Sequence, residues 1–152
     1  MFQNNPDACY ETGRDFWVRL HQFRYLEGLC LEETNDATIA DEAWALLGDL
    51  ERAYSAKSYS ACFCLACAMI EIHLRRIVRP KGNNLNNMLK SIGLLDELEW
   101  LVDLRNAVMH GNPNPFISYF RKPELESEVE QLCQKAFVAL HSIAAKTNRN
   151  VV

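Results

Sequence analysis

Apolar side chains along this chain recur every three or four positions, and no stretch alternates apolar and polar residues as a half-buried strand must. A chain of that pattern buries its apolar stripes only by packing helix on helix, so the spacing predicts an all-α bundle. The N-terminal helix is predicted over about residues 7–28, with Phe16, Leu20 and Phe23 on one stripe. A polar break follows at Glu32-Glu33-Thr34-Asn35-Asp36, and a second helix is predicted from Thr38 to Ser55. Its start carries a Thr38-x-x-Asp41 capping pattern, and Ile39, Ala43, Leu46, Leu47, Leu50 and Tyr54 form its apolar face.

Only Ala56-Lys57-Ser58 separates that helix from the next, predicted over Tyr59 to Arg79, so the two are expected as antiparallel neighbours. Pro80-Lys81-Gly82-Asn83 ends the second of them. A short helix fits Leu85 to Ser91, closed by Gly93. Asp96-x-x-Glu99 then opens a helix reaching His110, with Gly111 placed for a left-handed cap. Pro123 suits the first turn of a last helix, whose start is crowded by Glu124, Glu126, Glu128 and Glu130, as the macrodipole favours. The expected architecture is an up-and-down four-helix bundle over residues 36–152, preceded by an N-terminal helical extension over 1–35, in one compact domain.

At 152 residues the chain hides enough surface in one core to need no staple. Its net charge of −4 excludes binding to nucleic acid or anionic membrane through global charge, so any such contact must be local. The longest nearly uncharged apolar run, Ala61 to Ile70, is far short of the roughly 20 residues of a spanning helix. Met1 to Pro6 lacks the basic start and apolar run of a signal peptide. A cytoplasmic protein with no membrane contact is expected. Three of the six cysteines, Cys62, Cys64 and Cys67, share one apolar helix and read as small hydrophobes. Cys64, Cys67 and Glu71 line one stripe, but His73 aligns with Cys62 instead, and no second Cys or His pair has structural-zinc spacing. No metal and no cofactor are expected. His21 and His141 read as surface or boundary residues, and Trp17, Trp44 and Trp100 as core.

The segment Leu104-Arg105-Asn106-Ala107-Val108-Met109-His110-Gly111 is the strongest chemical signal. An Arg and a His five apart occur by chance in roughly one chain in seven of this length, and Asn directly after the Arg lowers that to roughly one in a hundred. A plain reading also stands: a His in the last turn complements the dipole, and the Arg is solvated. Upstream lies the small-residue helix Leu65-Ala66-Cys67-Ala68-Met69-Ile70-Glu71-Ile72-His73-Leu74-Arg75-Arg76. This order, with the Arg-Asn-x-x-x-His-Gly ending, resembles the HEPN superfamily, in its stand-alone bacterial branch, over about residues 36–146. The resemblance implies a dimerising helical domain, often a metal-independent endoribonuclease with a composite pocket between two subunits, and otherwise a non-catalytic module that binds a nucleotide or a protein. Carried over, it makes Arg105 and His110 the catalytic pair, Asn106 a polar support and Glu71 a further pocket member. The toxin of the HEPN–nucleotidyltransferase pair carries Tyr two residues after its His, where this chain has Asn112, so any antitoxin partner is left unassigned.

The chemistry of such a pair follows from its groups. RNA supplies its own nucleophile, the 2′-OH, so cleavage needs a group that moves protons and a cation that holds the developing charge. His does the first near neutral pH, and the planar fork of Arg does the second. Two subunits bring two His together as base and acid. Yet five residues of ideal helix turn about 140° and rise ~7.5 Å, so a bend, fraying before Gly111 or a partner subunit is expected to bring Arg105 and His110 together. Arg75, Arg76, Arg79 and Lys81 form the basic cluster: residues 71–90 hold five basic and one acidic side chain, a balance of +4. They read either as cations complementing a helix C-terminus or as a local phosphate track for RNA.

Overall fold

The computed structural model describes residues 6–77, 84–111 and 122–149. Those residues are all-helical, in seven α-helices: α1 (Pro6–Glu33), α2 (Asp41–Trp44), α3 (Leu47–Ser55), α4 (Tyr59–Ile77), α5 (Leu85–Ser91), α6 (Leu95–His110) and α7 (Glu126–Arg149). A 3-10 turn over Pro123–Leu125 leads into α7. No described helix is long and apolar enough to cross a membrane.

The packing shows how these helices run. Cys133 donates its thiol hydrogen to the Tyr59 carbonyl, and His73 meets Thr147, so the same sequence offset holds along α4 and α7 and the two are parallel. They also make the most extensive contact in the molecule and form its spine. On one side of the spine, α3 packs against α4 and α1 packs against α3 and α7. Arg19 donates to the Ser55 carbonyl at 2.7 Å and Arg24 pairs with Glu51 at 3.5 Å, which sets α1 antiparallel to α3. On the other side α6 lies against α4 with α5 beneath it. Glu97 pairs with Lys146 and Trp100 lies under Lys135, so α6 runs antiparallel to α7 and hence to α4, against which Arg105 reaches Glu71. With the short turn between α3 and α4, the helices α1, α3, α4, α6 and α7 therefore alternate in direction along the chain as a bundle.

Burial explains the arrangement. Phe23 of α1, Tyr54 of α3 and Phe137 of α7 stack with Phe23 in the middle, at centroid separations of 5.2 and 4.7 Å. All three are fully buried, and an aromatic of that size contributes about 3–5 kcal/mol against its truncation to Ala. α1 thus shares the bundle's core through Phe23 and Cys30, and it continues to Glu33, beyond the 28 expected.

Two expectations for the segment Thr38–Ser55 are corrected. The helix predicted over Thr38–Ser55 is two, α2 and α3. Leu46 donates to the Ala43 carbonyl three residues back, one tight step that turns α2 toward α4 while α3 lies between α1 and α4. Thr38 does not cap: the first residue before α2 is Ala40, without a side-chain cap. Its N–H is instead accepted by His73 Nδ1 at 3.0 Å. With Nδ1 accepting, the ring proton sits on Nε2 and is donated to Thr147 Oγ1, so one neutral His ties α2, α4 and α7 together. Burial lowers the pKa of His73, consistent with that neutral form.

His141, expected at the surface, is 1% exposed between the rings of Phe137 and Trp44. Trp17, expected in the core, is 59% exposed. His21 is exposed, and Trp44 and Trp100 are half-buried, the latter under the Lys135 ammonium at 4.6 Å.

Candidate functional site

The motif lies on the last turns of α6, where Leu101, Leu104 and Ala107 anchor the helix in the core and leave Arg105, Asn106 and His110 toward solvent. Gly111 ends it with φ of 68°, the left-handed conformation that a Cβ would strain, and its N–H returns to the Ala107 carbonyl. No bend or fray occurs: α6 is regular through His110. The expectation that Arg105 and His110 need a distortion or a partner to meet is therefore corrected. The long Arg side chain spans the turn, and its Nη1 lies 3.3 Å from His110 Nε2 and 3.2 Å from Asn106 Oδ1.

Glu71 of α4 completes the group. Its Oε1 pairs with Arg105 Nη2 at 2.8 Å and its Oε2 with Arg75 Nη2 at 3.7 Å. The carboxylate is 16% exposed and the Arg105 side chain 23%, so this pair is partly withdrawn from solvent. The four residues thus form one connected group in a single chain, with Glu71 pinning the guanidinium from the neighbouring helix. A guanidinium only donates, so its hydrogen bond to His110 requires Nε2 as acceptor and leaves the ring proton on Nδ1.

Beside this group α4 and α6 part to form a cleft of about 130 Å³. Cys64, Cys67 and Glu71 line one wall and Arg105, Val108 and Met109 the other. Its walls are apolar and its charged groups gather at one end. Burial raises the pKa of Cys64, opposed by Arg105, and that of Cys67 more strongly, so both stay as thiols. Cys30, Cys62, Cys64, Cys67 and Cys133 are free thiols, and no group of three or more Cys, His, Asp or Glu among the described residues is placed to hold a metal ion.

The basic cluster is divided. Arg75 belongs to the Glu71 network, and Arg76 pairs with Glu42 of α2 at 3.2 Å. Arg79, Lys81 and Asn112 lie outside the described residues.

A second, more open cleft of about 500 Å³ lies between α1, the α3–α4 turn and the start of α7, and no motif in the sequence marked it. Its lining holds Asp15, Glu126 and Glu130 against Arg19 and Lys57. Lys57 pairs with Glu126 at 3.2 Å, and Glu130 accepts the Tyr54 hydroxyl. Comparison with models of protein families, with curated proteins and with solved structures finds no match for the chain.

Proposed function

We propose that this chain is a HEPN-type endoribonuclease that cleaves RNA without a metal by attack of the 2′-OH, acting in defence or stress response. The observation that carries the reading is the hydrogen bond between Arg105 Nη1 and His110 Nε2, with Glu71 holding the guanidinium from α4. That geometry supplies both requirements of the reaction at one place. As Arg105 Nη1 turns from His110 to the phosphate, the freed lone pair on Nε2 accepts the 2′-OH proton, the 2′ oxygen bonds to phosphorus, and the bond to the 5′ oxygen breaks. The Arg105 fork stabilises the extra negative charge on the phosphorane. The departing 5′ oxygen takes a proton from an imidazolium, which His110 of a second copy supplies in a homodimer. The products are a 2′,3′-cyclic phosphate and a 5′-hydroxyl.

Charge favours the α4–α6 cleft over the larger one as the place for RNA. The larger cleft carries three carboxylates against two cations, and Lys57 is already committed to a carboxylate. A phosphodiester is repelled there. The α4–α6 cleft is lined by one carboxylate and one cation, Glu71 and Arg105, which pair with each other, and Arg75 draws on the same carboxylate from beside the cleft, so no excess of negative charge stands there.

The test is cleavage of mixed cellular RNA in excess EDTA by wild type and by His110→Ala. Wild type should cut and leave cyclic phosphates, and the variant should lose at least about a hundredfold in rate, as loss of a general base does. Equal cutting by both, or inertness of both, removes catalysis by this motif. Tight nucleotide binding with the RNA left intact would then favour the non-catalytic module that binds a nucleotide or a protein partner.

A further inference from the structure

One face of α1 is apolar and open to solvent. Val18, Tyr25 and Leu29 are 47%, 71% and 37% exposed, while the opposite face of the same helix buries Leu20, Phe23 and Cys30. At 100° per residue, Tyr25 lies 20° short of two full turns from Val18, and Leu29 lies 40° past one turn from Tyr25. The three therefore form a single narrow stripe, flanked by Trp17.

The ends of the stripe are charged and opposite in sign. Arg14 lies one turn before Val18, and Glu32 lies 18 residues after Arg14, which is five whole turns, so both stand on the same face; both are exposed. Such a face is self-complementary when a second copy lies against it antiparallel. The pairings Arg14–Glu32, Val18–Leu29 and Gln22–Tyr25 then follow from one two-fold axis near residue 23. Each end joins a cation to a carboxylate, and the two macrodipoles oppose. In a parallel pairing Arg14 would face Arg14 and Glu32 would face Glu32.

We infer that the occupant of this face is a second copy of the chain, bound through an antiparallel α1–α1 contact. The surface belongs to α1, which packs against α3 and α7, whereas Arg105 and His110 belong to α6, which packs against α4 and α5. The contact is therefore separate from any that would join two His110 residues, and it does not rest on the ribonuclease reading.

The experiment is sedimentation of the full chain over a wide concentration range. Wild type should self-associate reversibly as the concentration rises. Tyr25→Arg, at the most exposed position of the stripe, should lose the association step made through α1, with unchanged helicity and melting, while a contact through the His110 side is left in place. Arg14→Glu and Glu32→Arg should each raise the dissociation constant about tenfold, the scale of a few rim charge pairs turned from attraction to repulsion. The double reversal, Arg14→Glu with Glu32→Arg, should restore the wild-type constant. A wild type that stays monomeric overturns the inference, as does a dimer indifferent to Tyr25→Arg or a double reversal that fails to recover. Binding of the stripe to lipid vesicles or to another protein, with no self-association, overturns it equally.

Discussion

Arg105 meets His110 because a guanidinium sits at the end of a long flexible stem. Helix geometry places the two Cα positions about 140° apart, and that much is readable from spacing. Side-chain reach and the Glu71 carboxylate that fixes its direction are set by the neighbouring helix, so the convergence inside one chain was not legible in the sequence. His141 went unread for a related reason. Its helical position gave only an amphipathic context, whereas its burial comes from Trp44 of α2 on one side and Phe137 on the other. Neither ring nitrogen has a hydrogen-bond partner among the described residues, and burial lowers its pKa from 6.5 to about 4. The unfolded chain therefore binds this proton at a pH where the folded chain does not. Stability should be fully present above pH 6.5, fall as the pH drops toward about 4, and level off below that, a loss of about 3 kcal/mol from this residue. His73, lowered in the same direction by burial, adds to the same limb. His141→Phe should raise stability at neutral pH by about 1–3 kcal/mol, the cost of an unsatisfied buried polar group, and should flatten the acid limb. Urea unfolding of both proteins at pH 7 and pH 5 measures this. An unchanged acid limb in the variant would remove His141 as its source.

Helix ends were legible where local chemistry sets them, and not where a neighbouring helix does. α5 runs over Leu85–Ser91 as spaced, because the Asn84 side chain accepts the Asn87 N–H and Gly93 takes a positive φ. α6 ends at Gly111 for the same kind of reason. The break between α2 and α3 has no Gly or Pro; there α2 buries Ala43 and packs against α4, while α3 packs against both α1 and α4. Thr38 had the residue type of a cap, but the N–H at the start of α2 is satisfied from α4 by His73. The two cap positions should therefore respond differently to the same change. Asn84→Ala should cost about 1 kcal/mol by removing a bonded cap, and Thr38→Ala should stay within about 0.5 kcal/mol. Denaturant midpoints at equal m-value decide between them. A loss of comparable size at Thr38 would mean that its hydroxyl supports α2 after all.

At the scale of the whole molecule, charge is the quantity that constrains the proposed function most. The chain carries −4 overall, so RNA, the substrate we propose, would gain nothing from the global field and would have to be held by the few cations around one cleft. Arg76 is turned to Glu42, and Lys57 to Glu126 at another part of the surface. Arg105 lines the cleft and Arg75 stands beside it, both drawn toward Glu71. Each phosphate neutralised on a single strand contributes about −0.7 to the slope of log affinity against log salt. Two contacts give a slope of about −1.4, a loss of about sevenfold between 50 and 200 mM salt. If Arg79 and Lys81 extend the track, four contacts give about −2.8 and a loss of about fiftyfold. Titration of a 2′-O-methyl RNA, which binds but lacks the nucleophile, reads this slope without cleavage. A value near −1.4 that Arg76→Ala leaves unchanged is the expected result. A slope near zero would mean that the cleft neutralises no phosphate, and RNA would no longer be a credible occupant of it.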